Sequence, residues 1–373
     1  MAVHDNRLIE GDCIELMPGL PAGIADCIFA DPPYNLQLEA ELWRPNMTKV
    51  DAVDDHWDRF GGRASANPHD SFEAYDRFTE KWLSAARHVL SDSGTIWVIG
   101  TYHNIYRVGR IMMDLGYWIL NDILWIKTNP MPNFRGVRFT NAHETLLWAK
   151  KSKSQKRYTF NHHSMKRYNS GKQMRSDWEL PLCTGAERLT VNGEKAHTTQ
   201  KPEALLERVI VSSTRVGDLV LDPFFGTGTT GAVARRLGRR WIGLEQEKRY
   251  VELARNRIEA VEPMPNEWLK AHTQDPPAPP RVPFKRLLEE GLLQEGDRLT
   301  HVRLGVEATV HDDGSISVDG MRGSIHQVGA QVAGTPSCNG WRQWTCTCRD
   351  KGSVVLLDEL RKAVRGGDGS AQT

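Results

Sequence analysis

Two apolar runs in this chain stop in the same way, each on an aspartate followed by proline: "CIFADPPY", ending at Asp31, and "LVLDPFFGTGTT", ending at Asp222. Each reads as a strand feeding a constrained turn, and the stretches around both alternate strand with helix. Residues 7 to 31 read as strand, helix, strand, and residues 72 to 90 carry apolar side chains at helical spacing with Ser71 as the N-cap. A strand at "GTIWVIG", a helix over Ile105 to Leu115, and strands over Ile119 to Ile126 and at "ETLLWAK" follow. A second unit runs from "KPEALLERVIVSST" through "DLVLDPFFGTGTT" to "WIGLEQEKRYVELARNRI". Alternation of this kind predicts an α/β fold in which helices cover a mostly parallel sheet.

A chain of 373 residues has room for one large α/β domain and a smaller one. With 39% apolar and 25% charged residues it reads as soluble and globular. No run approaches the roughly 18 uncharged residues of a membrane span, and no secretory pattern opens the chain, so a cytoplasmic location is expected. Six irregularly spaced cysteines do not form a disulfide framework. The formal charge of +1 names no partner, but the segment from Lys150 to Arg175 is strongly basic. After Ala260 the sequence "EPMPNEWLKAHTQDPPAPPRVP" predicts an extended, semi-rigid linker. The expected organisation is a large α/β domain over 1–260 with an insert at 151–195, a linker over 261–283, and a small α+β module over 284–373. In that module "VEATVHDDGSISVDG" has the turn of a hairpin, and "LLDELRKAV" closes as a helix.

The loop Asp31-Pro32-Pro33-Tyr34 has little backbone freedom and presents one acceptor beside one aromatic face, which suits a flat, polar ligand. At the second turn, Gly226 and Gly228 precede a helix starting near Thr229, which by itself fits a nucleotide site or a plain tight connection. The next strand ends on Glu245, about 20 residues on, where a carboxylate can accept from both ribose hydroxyls. The turn lacks a P-loop lysine, so a nucleoside without phosphates fits better.

"DPPY" together with "DPFFGTGTT" resembles the amino-methyltransferases that use S-adenosylmethionine and act on nucleic acid bases. The catalytic tetrapeptide precedes the cofactor glycines, as in the circularly permuted β group of DNA methyltransferases. The resemblance covers residues 7 to 260 and implies a Rossmann-like S-adenosylmethionine-dependent methyltransferase fold, with a small α+β C-terminal domain appended. "GDC" (Gly11 to Cys13) is similar to the segment at the cofactor's adenine, and "HTTQKP" (His197 to Pro202) to the segment at its methionine end. Cofactor contacts are thus implied for Asp12, Cys13, His197, Thr199, Lys201, Asp222, Phe224, Gly226, Gly228, Thr229 and Glu245. Asp31 and the Pro32 carbonyl would accept the two protons of an exocyclic amine, freeing its lone pair for in-line attack, while Tyr34 stacks on the base. The base would first leave the duplex stack. By family resemblance, aspartate at the first position favours adenine N6 over cytosine N4.

"DPPYNLQL", "FTNAHETLLWA", "HTTQKPEALLERV" and "GSIHQVGA" with "SCNGWRQW" further resemble the cell-cycle-regulated, CcrM-type DNA adenine methyltransferases of bacteria. That resemblance spans nearly the whole chain and implies double-stranded DNA as partner, GANTC as site, a homodimer, and DNA contacts from Ser324, Asn339 and Trp341. "CNGWRQW" is equally consistent with a small hydrophobic core. Phosphate contacts are expected from Lys151, Lys153, Arg157, Lys166 and Arg167, and a flap over DNA from Leu36 to Asp70 with Arg44 and Trp57; Trp43 and Trp57 fit a core as well. Cys338, Cys346 and Cys348 with His326 lack zinc-ligand spacing, so no metal is expected. The alternatives are a cytosine N4 or RNA base methyltransferase, or a non-catalytic DNA-binding protein.

Overall fold

The computed structural model describes residues 6–36, 60, 68–133, 136–191, 193–196, 199–275, 281–348 and 352–367. The chain divides into two compact units, Met1–Pro276 and Pro277–Thr373. The first is built, in chain order, from β1 (Arg7–Glu10), α1 (Cys13–Leu16), β2 (Ala25–Ala30), α2 (Pro68–Val89), β3 (Leu90–Gly100), α3 (Ile105–Asp114), β4 (Trp118–Lys127) and β5 (His143–Lys150). It continues with α4 (His162–Met165), β6 (Asp177–Leu180), the two-stranded β7 (Thr190–Val191) and β8 (Glu194–Lys195), and α5 (Glu203–Ser213). β9 (Leu219–Asp222), α6 (Thr229–Arg236), β10 (Arg240–Glu245), α7 (Lys248–Glu259) and α8 (Asn266–His272) complete it.

The main sheet has the order β1-β10-β9-β2-β3-β5-β4-β6. Pairing is parallel from β1 through β3, and again between β4 and β6, but antiparallel between β3 and β5 and between β5 and β4. The fold is thus α/β around a mostly parallel sheet. β2 shows why both faces are covered: Ile28 and Ala30 enter one apolar cluster with Tyr75, Trp82 and Val108, while Cys27 and Phe29 enter another with Leu205, Val209 and Val233. Successive strand residues point to opposite faces, so an apolar run needs helices on both sides.

Crossovers leave β2 and β9 in opposite directions across the sheet, through α2 to β3 and through α6 to β10. The adjacent carboxyl ends of β2 and β9 therefore form a topological switch point, where open α/β sheets bind ligands. α2 begins at Pro68, so Ser71 lies within the helix instead of capping it. The stretch read as an extended linker contains helix α8, whose Leu269 is fully buried and whose following Thr273 receives the Arg239 guanidinium. The burial of Leu269 outweighs the local proline content.

The second unit carries a six-stranded antiparallel sheet. Its β11 (Arg298–His301), β12 (Glu307–Val310), β13 (Ile316–Val318), β14 (Met321–Gly323), β15 (Trp344–Thr347) and β16 (Val354–Leu356) are joined by α9 (Lys285–Glu289), α10 (Ile325–Val332), α11 (Gly340–Gln343) and α12 (Leu357–Gly367). The expected hairpin is β12–β13, turning through Gly314 at φ +82°.

Candidate active site

The loop after β2 is fixed by its own side chains and those beneath it. The Tyr34 hydroxyl lies 2.9 Å from Asp31 Oδ1, and the Tyr75 hydroxyl donates to the Pro33 carbonyl at 2.9 Å. Tyr75 is in turn held by Asn104 Nδ2 at 3.1 Å. Lys201 Nζ, buried, sits 2.7 Å from Asp31 Oδ2. The Tyr34 hydroxyl also reaches Glu144 Oε2 at 3.0 Å, and Lys127 Nζ pairs with Glu144 Oε1 at 2.9 Å. Lys201 and Glu144 Oε2 are 3.9 Å apart. Two carboxylates, two ammoniums and one phenol thus form a closed cluster. Burial pushes the Asp31 carboxyl upward, and the neighbouring Lys201 only partly offsets this. Burial acts on Glu144 in the same sense, but Lys201 and Lys127 more than reverse it and hold that carboxyl below its ordinary range.

Glu144 and Lys127 were not singled out from the sequence. The readable signal was charge at matching ends of two apolar strands, "ILWIK" and "HETLLWA". In the antiparallel β4–β5 pair Glu144 stands opposite Trp125, so Lys127, two residues on, reaches it. Because β5 runs against β3, its first residues arrive at the same sheet edge as Asp31.

Asp31 to Tyr34 open onto a cavity of about 250 Å³ that continues over the carboxyl end of β9 to Glu245. Asp12, Cys13, Thr199, Lys201, Asp222, Phe224, Gly226, Thr229 and Glu245 all line it; Gly228 does not. A Cβ on Gly228 would lie 2.8 Å from that of Ala254, and its φ is +78°, so this glycine serves the turn and the packing of α7. Gly226, at φ +53°, shapes the wall facing the cavity. Asp12 caps α1 through Ile14 N at 2.8 Å. Asp222 holds the glycine turn through Phe224 N and the Thr230 hydroxyl at 2.9 and 2.5 Å, and its burial raises the carboxyl to about 7. Lys201 lines the cavity, but its ammonium is committed to Asp31. His197 lies outside the described residues, as do Arg44 and Trp57.

The donor set defines what the cavity accepts. Among the described residues its lining carries the carboxyl groups of Asp12, Asp31, Asp222, Glu245 and Glu247 against one ammonium, Lys201. Such a wall repels phosphate and favours a cationic ligand. Glu245 accepts Gly226 N at 2.7 Å through Oε2 and Glu247 N at 2.8 Å through Oε1, with Gln246 N also directed at it, which fixes the carboxylate where it can accept from a vicinal diol. A nucleoside bearing a sulfonium fits both features.

The residues expected to contact DNA are distributed differently. Lys151 Nζ is bound to the Leu90 carbonyl at 2.8 Å, and Lys153 lies over the Trp118 ring. Both follow the end of β5, and six residues of strand put Lys150 about 20 Å from Glu144. Lys151, Lys153 and the exposed Arg157 are thus at the sheet edge opposite the cavity. Lys166 is half-buried, and Arg167 stacks over Trp268. In the second unit Ser324 forms a capping box with Gln327 at the start of α10. Trp341 is 5% exposed and packs against Phe284 beneath Arg361, which makes it a core residue. Asn339 is exposed. Among the described residues no cluster of metal-ligating side chains occurs, and no helix is long and apolar enough to cross a membrane.

Comparison with known proteins agrees with this geometry. The profile of a DNA methylase family, N6_N4_Mtase, matches residues 25–256, and that of the Restriction Enzyme Adenine Methylase Associated family matches residues 269–367. The chain is 47% identical over 359 residues to the Type II methyltransferase M.HinfI of Haemophilus influenzae, covering 95% of this chain and 96% of that protein. It is 43% identical over 253 residues to M2.DpnII, a Type II methyltransferase of Streptococcus pneumoniae, covering 68% of this chain and 89% of that one. The fold is also that of the cytosine-N4-specific PvuII DNA methyltransferase, at a TM-score of 0.52 and 19% identity, covering 72% of this chain and 92% of that one. The chain therefore belongs to the N6/N4 family of DNA methylases, enzymes that draw their methyl group from S-adenosylmethionine.

Proposed function

We propose that this enzyme methylates N6 of an adenine extruded from duplex DNA, at GANTC, with Asp31 and the Pro32 carbonyl as acceptors for the amine. The observation that carries this reading is Asp31 at the switch point, anchored by Lys201 and opening onto an anionic cavity. Adenine is favoured by aspartate at the head of "DPPY" and by the adenine-methylase-associated family matched over 269–367. GANTC rests on the resemblance of the whole chain to the CcrM type.

Asp12, the glycine turn and Glu245 would hold S-adenosylmethionine, which would supply an electrophilic methyl group. The remaining work belongs to the chain. Asp31 retains a lone pair on each oxygen beyond those used by Tyr34 and Lys201, so it can still accept an amine proton. Hydrogen bonding from both amine protons draws nitrogen toward sp3 geometry and frees a lone pair otherwise delocalised into the ring. The bond from Tyr75 to Pro33 fixes the angle of the acceptors before the base arrives. Extruding the base costs about a few kcal/mol, offset by stacking on Tyr34 and by the new hydrogen bonds.

The test is transfer of labelled methyl to two duplexes differing in a single GANTC site, followed by nucleoside digestion. N6-methyladenine confined to the GANTC duplex is expected; label on cytosine removes the base assignment, and label on both duplexes removes the sequence assignment. Asp31→Ala should abolish transfer while S-adenosylmethionine still binds, and unchanged turnover would sink the role of Asp31.

A further inference from the structure

The Tyr34 phenol owns one proton, yet its oxygen lies within hydrogen-bond reach of two carboxylates, Asp31 at 2.9 Å and Glu144 at 3.0 Å. It can donate to only one of them at a time. With both ionised, the other carboxylate faces an oxygen lone pair in a buried site, an expensive contact. Lys201, 3.9 Å from Glu144 Oε2, lies beyond hydrogen-bond distance and relieves it only in part. The remaining oxygens are already committed, Asp31 Oδ2 to Lys201 and Glu144 Oε1 to Lys127. One further proton satisfies every group: a protonated Asp31 donates to Tyr34, and Tyr34 donates to Glu144. Methylation of an amine releases one proton.

We propose that Glu144, held by Lys127, is a positioning residue that lets the Tyr34 hydroxyl switch between two carboxylates, so that Asp31 can take up the proton released by the substrate amine. This rests on the reading of Asp31 as acceptor for that amine. In the step itself an N–H bond of the amine breaks, its electron pair stays on nitrogen, and an O–H bond forms on Asp31. A protonated carboxyl is the weaker acceptor, so the Tyr34 hydroxyl turns to Glu144 and its lone pair receives the new Asp31 O–H. No bond of Tyr34 breaks. Asp31 loses the proton to water once product has left.

The charged groups around the pair direct the proton to Asp31. Glu144 faces Lys127 from β4, Lys201 from the segment before α5, and Asp31 with Tyr34 from the loop after β2; Asp222, at the end of β9, adds a further carboxylate near Lys201. Burial raises Asp31 more than Lys201 lowers it, whereas Glu144 is held below its ordinary range by two ammoniums. Burial beside two carboxylates keeps the Tyr34 phenol protonated.

The experiment compares pH profiles of kcat for wild type, Glu144→Gln, Tyr34→Phe and the double variant, with melting temperature and S-adenosylmethionine affinity measured alongside. Glu144→Gln should lower kcat by about tenfold or more. Its acidic limb should also move to lower pH, because removing the Glu144 charge makes Asp31 the weaker base. The double variant should be no slower than Tyr34→Phe alone, since both changes disable one device. An unshifted limb, or losses that multiply, would assign Glu144 to packing and overturn the inference. Should Glu144→Gln not fold, Tyr34→Phe decides alone: a kcat equal to that of wild type overturns the switch, and a tenfold loss with cofactor affinity intact supports it. A wild-type enzyme that methylates no exocyclic amine would refute the functional reading, whereas an active wild type with an unshifted variant refutes only the switch.

Discussion

Replacing Lys201 by methionine keeps most of the side-chain volume and removes one buried charge. The wild-type ammonium is 2.7 Å from Asp31 and 3.9 Å from Glu144, and it is 7% exposed. At an effective dielectric of about 20, the Asp31 contact alone is worth about 6 kcal/mol of attraction. Relaxation and water entry reduce the net effect to the range of about 3–5 kcal/mol found when one partner of a buried pair is deleted. Burial already raises Asp31, and Lys201 opposes that rise, so its loss raises Asp31 further. On the role proposed for Asp31 the reaction needs the ionised carboxylate, so the acidic limb of kcat/KM is expected to move to higher pH. Converting about 3 kcal/mol gives a fall that approaches about 100-fold on the acidic side of the limb, with recovery as the pH is raised. The assay is methyl transfer under subsaturating DNA across the pH range, with cofactor affinity measured separately. A uniform loss at every pH, with the limb in place, would refute the electrostatic account.

Two further outcomes test the scaffold. Gly243→Ala would place a Cβ 2.4 Å from the Phe225 ring, which is stacked on Trp241, and should destabilise by about 1–3 kcal/mol, read as a lower urea midpoint with unchanged slope. An unchanged midpoint would show that the ring yields freely. Lys151→Ala should leave the salt dependence of DNA binding intact, because its ammonium is bound to the Leu90 carbonyl. A slope reduced by about one would return that lysine to the DNA.

The parallel core and the loop at Asp31 were legible because both are local signals: apolar runs between helical stretches, and a turn whose residue types have little freedom. The roles of the glycines were less so. Gly226 and Gly228 look equivalent in "FFGTGTT", yet one faces the cavity and the other makes room for Ala254, a contact made across the fold. The contact of Glu144 was not legible for the same reason, since it lies 110 positions from the tyrosine it touches. Where the basic residues at 151–157 lie was not legible because composition carries no direction. Only the antiparallel course of β5 sends them to the far edge. Trp341 likewise reads as contact or as core from sequence, and its packing against Phe284 decides.

The connection between β4 and β5 leaves the sheet immediately after Lys127 and returns just before Glu144, and Lys127 N is bonded to the Ala142 carbonyl at 2.8 Å. The ion pair between those two side chains thus fastens the base of the excursion across its own mouth. A change of length farther out is therefore expected to leave the carboxylate beside Tyr34 in place. Substitution of the exposed Phe139 in this loop is expected to do the same.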